Sequence, residues 1–126
     1  ERSHGIEGDN SSILAAGFSP TGSHFAFATH NGRIAIHQTQ DWKEARRIEL
    51  KQPVTGLALA PDGRALFAGI TSGQEGGAAG LLRLDLAAGK RSKVGAAPFL
   101  PFGPICYSRD GSLVATGTRG GDVWIY

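Results

Sequence analysis

Three copies of one pattern run through this 126-residue chain and constrain its fold more than any other feature. The first halves read AGFSPTGSHFAFAT, LALAPDGRALFAGI and CYSRDGSLVATGT, and the second halves read NGRIAIHQ, AGLLRLDL and GGDVWIY. Gly22, Gly63 and Gly111 anchor the first halves; Gly32, Gly80 and Gly121 anchor the second. From Gly32 to Gly63 is 31 residues, and from Gly80 to Gly111 is also 31. Within a copy the anchors lie 10, 17 and 10 residues apart, so the copy spacings of 41 and 48 differ by a seven-residue insertion between Gly69 and Gly80. A period of about 40 residues, made of short apolar runs and turn glycines, is that of four-stranded sheets arrayed in series.

Each copy has the local chemistry of such a sheet. Ile13, Leu14, Ala16 and Phe18 lead into the turn SPTG, and Phe25, Phe27 and Thr29 continue beyond it. The turn HNG then opens a strand in which Ile34 and Ile36 alternate with Arg33 and Ala35, the period of a half-buried strand. Leu82 and Leu84 take those apolar places in copy two, and Val123 and Ile125 in copy three. A fourth strand is predicted near Ala45 to Leu50 and near Arg91 to Val94, while copy three stops at Tyr126 before any fourth strand. Ala28, Gly69 and Gly117 share one aligned position, and Ala26 and Ala115 another. Small residues at fixed places suit strands that converge on an axis, a taper that a simple β-sandwich does not need.

From Ile13 to Tyr126 the pattern resembles the WD-repeat β-propellers. That resemblance implies an all-β fold, a β-propeller segment of four-stranded antiparallel blades, and the common role of such domains as docking platforms. The family closes its third strand with an aromatic residue and an acid; the aligned pairs here are His37-Gln38 and Asp85-Leu86, with Tyr126 as the third counterpart. The family's Gly-His dipeptide is absent from all three copies, and Asn31 and Gly120 stand where an Asp is expected. The buried hydrogen-bond network of the family therefore does not carry over. The expected organisation is a polar tail over 1–12, blade one over 13–52, blade two over 53–100 and an incomplete blade three over 101–126.

Three blades do not close a ring, since propellers typically have about four to eight. The chain contains no methionine, which is read as the mark of one piece of a longer propeller. Two copies of the chain making six blades, or three making nine, would be the other route to closure. Either way the expected partners are other proteins, further blades, or the same chain as a homo-oligomer. An open array leaves an unpaired sheet edge and an apolar flank that demand a neighbour.

Composition removes several other functions. The single cysteine, Cys106, excludes an internal disulfide and is expected to be a buried, inert thiol on an inner strand. No apolar stretch approaches membrane-spanning length, and no secretory signal is visible, so an intracellular, cytoplasmic address is expected. The net charge is only +2, and the basic residues gather in Lys43, Arg46, Arg47, Lys51 and in Lys90, Arg91, Lys93. On outermost strands such charges keep edges soluble, and a nucleic-acid surface would need a denser stripe interleaved with aromatics. His4, His24, His30 and His37 have no metal-ligand spacing, Asp62 and Asp110 belong to repeated turns, and no serine sits in a nucleophile elbow. The run GITSGQEGGAAG lacks the Gly-Lys-Ser/Thr ending of a phosphate loop. No catalytic residue, metal or cofactor is assigned, and the chain is expected not to be an enzyme.

Two segments exceed scaffold. The insertion over about Thr71 to Ala79, with Gln74 and Glu75, lengthens one hairpin; the connector Pro98 to Pro104 carries Phe99 and Leu100 where copy one has Lys51 and Gln52, with Phe102 just beyond them. In propellers of this kind the second-to-third-strand turns and the blade connectors emerge on one face, which Arg119 would share. Phe99, Leu100, Phe102, Gln74, Glu75 and Arg119 are therefore the expected protein-binding residues, aromatic anchors beside an adaptable loop. The competing use of Phe99 and Phe102 is to plug the gap between blades. A propeller enzyme or small-ligand binder whose site is shared with blades outside this chain is the alternative function. An anionic reader built on Arg119 is a third.

Overall fold

The computed structural model describes residues 3, 5–6, 8–71, 79–94 and 101–126, the side chains of 101–103 excepted. Eleven strands make three antiparallel sheets. Blade one runs β1 (Ile13–Phe18), β2 (His24–Thr29), β3 (Arg33–Gln38) and β4 (Glu44–Glu49). Blade two runs β5 (Val54–Leu59), β6 (Ala65–Ile70), β7 (Gly80–Asp85) and β8 (Lys90–Val94). Blade three has β9 (Pro101–Tyr107), β10 (Val114–Thr118) and β11 (Val123–Ile125). Strands follow chain order within each sheet, and the first strand of blade two packs beside the first strands of both neighbours.

The repeated turns explain why the strands fold back where they do. The amide of Gly22 donates to Ser19 O (2.8 Å), that of Gly63 to Ala60 O (3.0 Å) and that of Gly111 to Ser108 O (2.9 Å). All three glycines have positive φ, between 70° and 75°, which a Cβ disfavours. Asp62 and Asp110 accept the amides of Arg64 and Ser112, the local turn role expected of them.

Faces follow from register. Ala28 pairs with Ile34 and Ala26 with Ile36, so these four share the side of blade one turned to blade two. They meet Leu57, Leu59, Leu66, Ala68 and Leu84 from blade two in one core. Ile34, Ile36, Leu59, Leu66 and Val54 are all under 2% exposed or at 2%, and burial of each such side chain stabilises by about 1.5–3 kcal/mol. A second core joins the far side of blade two (Ala58, Phe67, Leu81) to Ile105 and Val114 of blade three.

This register corrects the alignment of copy two by one residue. Gly69, the counterpart of Ala28, pairs with Leu81, and Phe67, the counterpart of Ala26, pairs with Arg83. Leu81 and Arg83 therefore occupy the places of Ile34 and Ile36, and Leu82 and Leu84 face the opposite way. Such a slip exchanges the faces of the whole strand. The insertion shrinks from seven residues to six, counted between Gly69 and Ala79 as the counterpart of Gly32. The strand-closing pair of copy two becomes Leu84-Asp85, and Trp124 matches Ala35 and Leu82.

Candidate functional site

The two outer faces of the blade stack carry the same residue pattern as its buried faces. In blade three Gly117 pairs with Val123 and Ala115 with Ile125, which repeats the Ala28–Ile34 and Ala26–Ile36 pairs of blade one. Val123 is 70% exposed and Ile125 65%, with Leu113 at 51%. Cys106 pairs with Ala115 on this same side and is exposed, against the expectation of a buried thiol. Its position is an inner strand, as expected, but among the described residues no fourth sheet lies over it.

Blade one presents the complementary side. Phe18 is 59% exposed and Ile13 57%, where the counterparts in blade two, Leu59 and Val54, are 1% and 0%. The outer half of that side is lined differently. Residues of the tail, Ile6, Gly8 and Asp9, enclose a cavity of about 390 Å³ with Phe27, His37 and Trp42. Asp9 Oδ2 accepts from Arg33 Nη1 at 2.6 Å and from Asn31 Nδ2 at 3.3 Å, and the His30 amide donates to Ser12 O at 2.8 Å. The Ser11 amide and the Asn31 side chain, with Arg33 nearby, hold the Asp9 carboxyl below its ordinary range. His37 stacks on Phe27 (ring centroids 5.9 Å) and its Nδ1 donates to Trp42 O at 3.0 Å, while His37 Nε2 and Arg33 Nε are buried without a hydrogen-bond partner among the described residues. Trp42 packs edge-on against Phe25.

Of the expected docking residues, Arg119 lies exposed in the β10–β11 turn, which the Thr118 amide closes by donating to Asp122 O at 2.9 Å; Thr118 also pairs with Pro101 at the start of β9. Phe102 belongs to β9, so the connector is already strand from Pro101 onward. Gln74, Glu75, Phe99 and Leu100 lie outside the described residues. In blade one the second turn and the blade connector do share an end: Leu50 N donates to Gly32 O at 2.9 Å, and Gly32 sits against the Gln52 backbone. Reasoning from sequence missed the tail clasp and the exposed Cys106, since both depend on what stands opposite a face.

No family model matches the sequence, and no curated protein is significantly similar to it. Among solved structures, the Cps50 (Swd1) β-propeller domain of Myceliophteria thermophila matches with a TM-score of 0.75 at 20% identity, over 95% of this chain and 39% of that one. The chain folds as a segment of a β-propeller. Hydrazine synthase of Kuenenia stuttgartiensis matches with a TM-score of 0.60 at 18% identity, over 93% of this chain and 32% of that one. The chain thus spans well under half the length of either of these chains. Among the described residues no helix is long and apolar enough to cross a membrane.

Proposed function

We propose that this chain is a protein-interaction scaffold, a three-blade part of a larger or oligomer-completed propeller, and has no chemistry of its own. The observation that carries the reading is the exposure of Val123 and Ile125 at positions where Ile34 and Ile36 are buried at 0% and 2%. An apolar sheet face of this kind is a contact surface in waiting. Blades fix the backbone, and loops at the connector end, with Phe99, Leu100, Phe102, Gln74, Glu75 and Arg119, supply selectivity. Likeness to the Swd1 β-propeller domain supports the propeller fold on which this reading rests. Likeness to a synthase at 18% identity bears on the fold alone.

The test is photo-crosslinking from a reactive residue placed at Val123, read by mass spectrometry. The scaffold reading expects crosslinks to a sheet segment of another blade, lost in the Ile125→Asp chain. A folded chain that yields no crosslinked product from this face would refute it.

A further inference from the structure

The fold brings together two basic stretches that lie far apart in sequence. β4 and β8 are the outermost strands of blades one and two. Arg46 pairs with Ile36, so it stands on the side of β4 turned to blade two; Arg91 pairs with Leu84 and Lys93 with Leu82, on the side of β8 turned to blade one. Between them runs a groove of about 320 Å³ with Arg46, Lys90 and Arg91 on its walls. Its floor is aliphatic: Leu84 and Leu86 are 3% and 5% exposed, and Ile48 packs beside them. Arg91 Nη2 crosses the groove to donate to Glu49 O at 3.2 Å, so one wall is oriented by the other blade.

The groove has a surplus of positive charge. Its two acids also have contacts of their own: Glu49 holds Arg33 at 3.2 Å, and Asp85 accepts the amides of Ala87 and Ala88 and feels the charge of Lys90, which leaves Arg46 and Arg91 as the main surplus. Arg47 is neutralised by Glu44 at 2.9 Å. Among the described residues neither Arg46 nor Lys90 has an acid within ion-pair distance. Charges that only guard a sheet edge would stand in solvent; these flank an apolar trough between two sheets.

We infer that this groove is a second docking site, separate from the loop end and the open blade faces, for an acidic peptide segment carrying an aliphatic residue among its carboxylates. The carboxylates would meet Arg46, Lys90 and Arg91, and the aliphatic side chain would cover Leu84 and Leu86. Charge complementarity would set specificity and on-rate, and the apolar floor would add affinity. A nucleic acid is disfavoured because no aromatic side chain lines the groove for base stacking.

Fluorescence anisotropy with a labelled Asp-Glu-Leu-Glu-Asp peptide tests the site on the full chain, with circular dichroism to verify folding. Arg46 and Lys90 are exposed, so Arg46→Glu and Lys90→Glu should leave the fold intact. Each should weaken binding about tenfold, and Leu→Ser in the peptide should weaken it comparably, while Arg119→Glu should leave it unchanged. Absence of binding by the folded chain would overturn the inference, as would indifference to Arg46→Glu and Lys90→Glu. Equal competition by a DNA duplex or by phosphatidylserine vesicles would also overturn it, and would reassign the groove to those ligands. Since crosslinking from Val123 reads a different face, the two sites can fail separately.

Discussion

Ile34 and Val123 hold the same register position in blades one and three, yet Ile34 is fully buried and Val123 is 70% exposed. The difference is the sheet opposite: Ile34 faces Leu57 and Leu66 of blade two, and Val123 faces no described residue's sheet. Truncation of the pair should therefore separate cleanly. Ile34→Ala should cost about 2–5 kcal/mol through lost contacts and a cavity, whereas Val123→Ala should cost about 1 kcal/mol or less. Urea denaturation midpoints of the two variants measure this. Equal losses would mean that Val123 is already packed.

Gly32 and Gly22 both have positive φ, but only Gly32 is hemmed in by backbone. A Cβ at Gly32 would lie 2.6 Å from the Gln52 amide nitrogen and carbonyl oxygen, while one at Gly22 would meet nothing within 4 Å. Gly22→Ala should cost about 1 kcal/mol of conformational strain, and Gly32→Ala on the order of 3 kcal/mol or more because the connector must move. Thermal melts of both variants decide it, and equal shifts would contradict the close packing of turn on connector.

Much of this fold was legible because its signals are local. The turn glycines 22, 63 and 111 hold positive φ, and the small residues Ala28, Gly69 and Gly117 take equivalent register positions in the three blades. Gly80 misled because it is no turn glycine: it opens β7 without positive φ, whereas Gly32 and Gly121 have φ of 87° and 92°. Leu81 and Leu82 then hid the period, since blade two is packed on both faces and its strands need not alternate. Of the residues proposed for docking, Arg119 lies in the second turn of blade three. The groove between β4 and β8 was not legible, because each wall alone reads as an ordinary charged edge.

Cys106 gives a chemical handle on the open face. Exposed beside Ala115 and Ile125, it should react with a thiol reagent in the folded monomer, at concentrations below association, at a rate near that of the unfolded chain, and more slowly as the faces associate. Reaction only after addition of denaturant would show that something covers this face.

Asp110 predicts a pH-dependent turn. Its Oδ1 accepts from Ser108 Oγ (2.6 Å), Ser112 N (3.1 Å) and Ser112 Oγ (2.8 Å). The Ser108 hydroxyl first, then the Ser112 amide and hydroxyl, hold the carboxyl down to about 2 from an ordinary 3.8. Because the folded value lies below the unfolded one, the stabilisation is present above pH 3.8 and is lost as pH falls toward 2. The Ser112 amide resonance should titrate with a midpoint of about 2 and stay flat in the Asp110→Asn chain. A midpoint near 3.8 would mean that the carboxylate is not held by these donors.

The scaffold account stands most directly on the association of the open faces. Light scattering across a concentration series, with circular dichroism on the same fractions, reads it. The account predicts a folded chain whose mass rises above 13.2 kDa and returns to that value in the Ile125→Asp variant. A folded wild-type chain that stays at 13.2 kDa at every concentration would contradict it.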